Sequence, residues 1–150
     1  MKPSEIIQMA RDYPRYWHTN DPYVIAERFG IYVIHRTPAF KDFTAQIIKT
    51  GEKNPMIISI NDDYTDFSKM ILCAHELGHA LLHQNCVNYF SATGHNQHAS
   101  VEYEANLFAL ALLTDETFDQ ALPIPLENMN NYLLKTIIDY NLQKKIPADN

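Results

Sequence analysis

A chain of 150 residues, 46% hydrophobic and 20% charged, has room for one domain (1–150) with its own core and needs no disulfide staples. Eighteen Asp and Glu against twelve Lys and Arg leave a formal charge of −6, which argues against a nucleic-acid grip spread over the surface. Two cysteines, Cys73 and Cys86, make no disulfide framework, and no apolar run has signal-peptide or membrane-span length. The expectation is a cytoplasmic protein with neither a membrane nor a nucleic acid as partner.

Residues 3–12 (PSEIIQMARD) read as a short helix that YPRYWHTN breaks. Asp21 and Pro22 start a second, PYVIAERF, which Gly30 stops. IYVIHR, FTAQIIKT and PMIISIN are short, β-branched or aromatic segments, and residues 51–54 suit a hairpin loop between the last two. Three successive strands favour a small antiparallel meander. Thr65 or Asp66 caps a helix running to about His83. NYFSATGHNQHAS is a loop by composition, and Ser100 opens VEYEANLFALALL, ending near Thr114. Thr114 can cap DETFDQAL, and after Pro123 and Pro125 a last helical segment lies within about 123–146. The fold class expected is α+β.

Five of the seven histidines fall between His75 and His98, and His75-Glu76-Leu77-Gly78-His79 is an H-E-x-x-H motif. Four residues turn a helical side chain by about 400°, so His75 and His79 share one face and can hold one ion from one rigid element. Glu76 sits about 100° around, beside the ion, placed to take a proton from an activated water. Zinc is the ion that two imidazoles and an oxygen ligand with an open position favour. The surrounding ILCAHELGHALLH is otherwise apolar, so polar groups at 75, 76 and 79 need partners.

Zinc requires a third protein ligand. The candidates downstream are His83, Cys86, His95, His98 and an acid in VEYEANLFA. His83 is offset about 80° from His75 and lies further along the helix. Position 85, where a metzincin would place its third histidine, is Asn85. Glu102 fits better: Ala105 and Ala109 lie on nearly its own face, and such small residues let two helices approach around a shared ion. Asn106, one turn along, is placed to accept the distal N–H of a ligating imidazole. Glu104 falls on another face and reads as solvated, and Cys73 as a core thiol.

FSKMILCAHELGHALLH followed by VEYEANLFALALL resembles the ImmA/IrrE family of zinc metallopeptidases, as does the preceding DPYVIAERFGIYVI, over roughly residues 21–115. The resemblance implies a gluzincin-like α+β fold with a small sheet beside the zinc helix, His75, His79 and Glu102 as zinc ligands, and Glu76 as the catalytic acid/base. It also implies a protein substrate: a helix-turn-helix repressor or regulator of a prophage or mobile element. No motif of that family covers the residues after about 122.

Hydrolysis also needs a donor for the developing oxyanion, for which Tyr64, Tyr89, His95, His98 and Tyr103 are candidates. An exposed sheet edge would hold an extended peptide by strand addition. IAERFGIYV mimics the first half of a helix-turn-helix, but the β-branched YVIHRTPAF follows where a recognition helix belongs. The competing reading is a zinc-stabilised, non-catalytic interaction or sensor module that binds such a regulator without cutting it.

Overall fold

The computed structural model describes residues 1–39, 42–83 and 99–146. Its elements run α1 (Pro3–Trp17), α2 (Pro22–Arg28), β1 (Tyr32–Arg36), β2 (Ala45–Ile48), β3 (Ile57–Asn61), α3 (Asp66–Leu82), α4 (Ala99–Leu113), α5 (Glu116–Ala121), a 3-10 turn (Leu126–Asn128) and α6 (Asn131–Asn141). This is the expected α+β fold.

α1 begins with Pro3 in its first turn, and the Glu5 carboxylate accepts the Lys2 backbone N–H at 3.1 Å. It runs five residues beyond the break expected at Tyr13, with Pro14 inside it. The tolerance has a packing origin. Tyr13 and Trp17, one turn apart, stack at 5.5 Å between ring centroids, and both meet Phe29 edge-on at 5.3 Å. These contacts offset the backbone bond that proline cannot donate. His18, at φ 57°, ends the helix in the left-handed region. α2 is capped as expected: the Asp21 carboxylate accepts the Tyr23 N–H at 2.9 Å, and Pro22 occupies the first turn.

The sheet departs from the expected antiparallel meander. Its order is β1-β3-β2: β2 pairs antiparallel with β3 across residues 49–56, but β1 pairs with β3 in parallel, Tyr32 opposite Ile57 and Arg36 opposite Asn61. Burial explains the arrangement. β3 has four of its five residues buried, which suits only a central strand, whereas β1 exposes Tyr32, Ile34, His35 and Arg36 and belongs at an edge. Polar Ser59 and Asn61 on β3 are buried but satisfied. Arg36 Nε donates to Ser59 Oγ at 2.7 Å, and Asn61 Nδ2 donates to the Phe43 carbonyl at 2.6 Å.

Thr65 caps α3, its Oγ1 accepting the Ser68 N–H at 3.3 Å. α3 packs on β2, β3 and α2 and makes its most extensive contact with α4, which in turn lies on α1 and α6. Leu77, Leu107, Phe108 and Leu112 are all at most 1% exposed in this core, each worth about 1.5–3 kcal/mol on burial. α5 is capped by Asp115 rather than Thr114. The Thr114 hydroxyl instead donates back to the Leu110 carbonyl, a local bond that a threonine at a helix end can always make.

The last segment is tied to the start of α3. Thr65 N–H donates to the Gln143 carbonyl at 2.9 Å, Gln143 N–H to Ser68 Oγ at 2.7 Å and Lys145 N–H to the Asp63 carbonyl at 2.6 Å. Lys144 lies over the Tyr64 ring and pairs with Asp42 at 3.0 Å.

Candidate metal centre

His75 and His79 lie one turn apart on α3, as the motif spacing dictates, with ring centroids 4.8 Å apart and planes nearly perpendicular at 88°. α4 crosses this face and delivers Glu102. One carboxylate oxygen stands 3.2 Å from His75 Nε2 and the other 3.0 Å from His79 Nε2. Ligand atoms of the three residues lie within 4.8 Å of one another. Two imidazole nitrogens and a carboxylate from two rigid helices are a donor set that fits zinc.

The helices can come this close because Gly78 faces α4. A Cβ there would stand 3.2 Å from Ala105 Cα and 3.2 Å from the Phe108 side chain. The small residue expected at 105 therefore does lie in the helix contact, and Gly78 is its counterpart on α3.

The charges reinforce the pairing. Burial disfavours the charged form of His75, but the Glu102 hydrogen bond, the charges of Glu76 and Glu102 and a hydrogen bond with Asn106 outweigh it and raise its pKa. Burial also works against ionised Glu102, yet the bonds and charges of the two histidines depress its pKa strongly. Glu76, 9% exposed, is pushed the other way: burial raises its pKa, and the two histidines only partly counter this.

Behind the imidazoles lie two further pairs. Asn106, 4% exposed, is close enough to His75 to help raise its pKa, and it donates its Nδ2 to Asn131 Oδ1 at 2.8 Å, at the start of α6. His79 Nδ1 meets His83 Nδ1 at 3.2 Å, and His83 Nε2 meets Glu104 Oε1 at 2.8 Å. Glu104 thus does not lie on a solvated face, as the sequence suggested. His83, four residues from His79, packs against that nearer histidine with ring centroids 5.4 Å apart and planes tilted by 53°.

Tyr64 is engaged by Lys144 at the far end of α3, about 14 Å of helix from His75. Tyr103 packs against the core, and burial raises its pKa. Cys73 is fully buried, and burial raises its thiol pKa, as expected of a core thiol. Cys86, Tyr89, His95 and His98 lie outside the described residues. No described helix is long and apolar enough to cross a membrane.

The family model Peptidase_M78, described as the IrrE N-terminal-like domain, matches residues 26–123, about two thirds of the chain. No curated protein and no solved structure gives a significant match.

Proposed function

Because the chain belongs to the Peptidase_M78 (IrrE N-terminal-like) family, we propose that it is a zinc-dependent endopeptidase in which His75, His79 and Glu102 hold the ion and Glu76 is the acid/base. The observation carrying this reading is the convergence of two Nε2 atoms from α3 on the two oxygens of one carboxylate from α4. A zinc ion bound there would polarise a peptide carbonyl and lower the pKa of a nearby water. Glu76 is adjacent in sequence to His75 but carries none of the three grouped ligand atoms. Its raised pKa suits a carboxylate that takes a proton from water and returns it to the leaving amine. Asn106 would hold the His75 ring in place. β1 and β2 are the sheet edges, and β2 also packs on α3, which supports an extended substrate aligned along that edge.

A peptidase acts on a protein, and the substrate proposed is a helix-turn-helix repressor or regulator of a prophage or mobile element, cut in the cytoplasm. Purified protein is expected to carry or take up one zinc. Glu102→Leu is expected to lose it. Glu76→Gln is expected to keep it while cleavage of a regulator encoded beside this gene falls by about 10²–10⁴. Undiminished cleavage by Glu76→Gln would remove Glu76 from its role, and absence of zinc affinity would overturn the whole reading. Zinc uptake without cleavage of any such regulator would favour the non-catalytic module instead.

A further inference from the structure

The backbone of β1 faces two ways. Tyr32 N–H donates to the Met56 carbonyl and the Arg36 carbonyl accepts from Asp62 N–H, both at 3.0 Å, so residues 32, 34 and 36 turn their backbone groups toward β3. Those of Val33 and His35 point the other way, and no strand among the described residues pairs with that edge. The side chains divide as well. Val33 packs against the core, which puts Tyr32, Ile34 and Arg36 on the outer face, where Tyr32 is 63% and Ile34 41% exposed. YVIHR holds no proline, lysine or acidic residue, the usual guards of an open edge. We propose that β1 is an interface between two copies of this chain, paired antiparallel about a two-fold axis at Ile34. The two sheets then become one, of order β2-β3-β1-β1-β3-β2. The proposal does not depend on the metal reading.

Self-complementarity selects this occupant. With the axis at Ile34, the whole of β1 pairs with its copy. Val33 of each chain stands opposite His35 of the other, and these are the residues whose backbone groups face outward, so each such pair exchanges both bonds. Ile34 meets Ile34 of the second copy in the non-hydrogen-bonded position, where side chains approach most closely. Tyr32 stands opposite Arg36 of the second copy. That guanidinium is already fixed, with Nε donating to Ser59 Oγ at 2.7 Å and its carbon 5.3 Å from the Phe43 ring centroid, so an exposed ring faces a placed cation. The two Arg36 side chains stay about 13 Å apart, four residues of strand. Pairing β1 with β2 of another copy would instead be head-to-tail and would leave an open edge at each end, whereas the two-fold pairing closes. It also leaves both β2 edges, and the face of α3 that carries the histidines, outside the interface.

Sedimentation equilibrium of the parent protein is expected to show a mass that rises from 17.3 kDa toward twice that value across the micromolar range, as suits a small interface. Amide exchange gives the residue-level reading: Val33 and His35 exchange freely in the dilute monomer and should slow several-fold as concentration rises. Ile34→Lys sets two ammonium groups against each other at the axis and is expected to keep the protein monomeric. His35→Pro removes an outward N–H that no bond to β3 uses, and is expected to weaken the dimer at least tenfold. Thermal melts show that each variant is folded, and Ile34→Lys decides alone if His35→Pro is not. A parent that stays monomeric to about 1 mM would overturn the proposal. So would a dimer that Ile34→Lys leaves intact, which would place the contact elsewhere. Val33 and His35 amides already protected in a monomeric parent would give the edge to another segment of the same chain, and would overturn it too.

Discussion

Gly78 of α3 lies against Ala105 of α4 so closely that a Cβ would come within 3.2 Å of a backbone atom. A backbone Cα cannot rotate away as a side chain can. Alanine adds about 1 kcal/mol of helix propensity, but overpacking a tight contact costs about 1–3 kcal/mol. Gly78→Ala is therefore expected to lower Tm. It should also weaken zinc binding, because this contact sets the distance between the histidines of α3 and Glu102 of α4. Melting curves and a zinc titration check both, and a raised Tm would mean that the helices part without cost.

Stability of the metal-free protein should depend on pH in a defined direction. The folded pKa of His75 is raised above 6.5, so its contribution is complete below pH 6.5 and is lost as pH rises through the folded value. His83, lowered from 6.5 chiefly by burial, contributes in the opposite sense, fully present above pH 6.5 and lost as pH falls. Above pH 6.5 the loss therefore comes from His75, added to the loss from the raised Glu76, which sets in above its ordinary value of 4.5. Zinc must displace the His75 proton, so its affinity should rise over the same range by up to about tenfold per pH unit. Urea unfolding and zinc titrations in a pH series test this pair of opposed slopes, and a flat zinc affinity would contradict it.

Asn131 lies beyond the span matched by the family model yet accepts a hydrogen bond from Asn106, which contacts His75. Asn131→Leu strands a buried amide donor and is expected to cost about 1–3 kcal/mol. Asn131→Asp keeps the acceptor and places a negative charge in the first turn of α6, where it is favoured. Most of the loss should then be recovered. Urea midpoints of the two variants give the comparison, and equal losses would deny the acceptor its role.

Ser68 is fully buried and joins the start of α3 to the last segment, accepting from Gln143 N–H. Ser68→Ala is expected to cost about 1–3 kcal/mol and to loosen residues 142–146 first. Trypsin digestion should cleave at Lys144 and Lys145 several-fold faster than in the parent, and an unchanged rate would show that the other bonds hold the segment alone.

The sequence made the helices of the site legible because their signals are local. The i,i+4 histidines and the small residues on the face of Glu102 follow from a 3.6-residue period, and the Thr65 cap from the residue before the first turn. Partners across elements carry no such period. Nothing local to Glu104 announces His83, and nothing in Asn131 announces Asn106. The sheet order was less legible because strand composition does not report burial: four of the five residues of IISIN are buried, polar Ser59 and Asn61 among them, so β3 lies between two neighbours, and β1 takes the edge that the hairpin leaves free. α1 outran its expected end because an aromatic stack overrode the local penalty of Pro14.

The order β1-β3-β2 also divides the sheet in time and in strength. β2 and β3 are joined by residues 49–56 and can close as a hairpin with little loop entropy. β1 docks only once β3 is in place, across a far longer stretch of chain, and through a parallel ladder that is slightly weaker per residue. The hairpin is expected to form first and β1 to be added afterwards. Amide hydrogens of β1 should accordingly exchange with solvent sooner than those linking β2 to β3, and the sheet should open by releasing β1 while the hairpin against α3 stays closed.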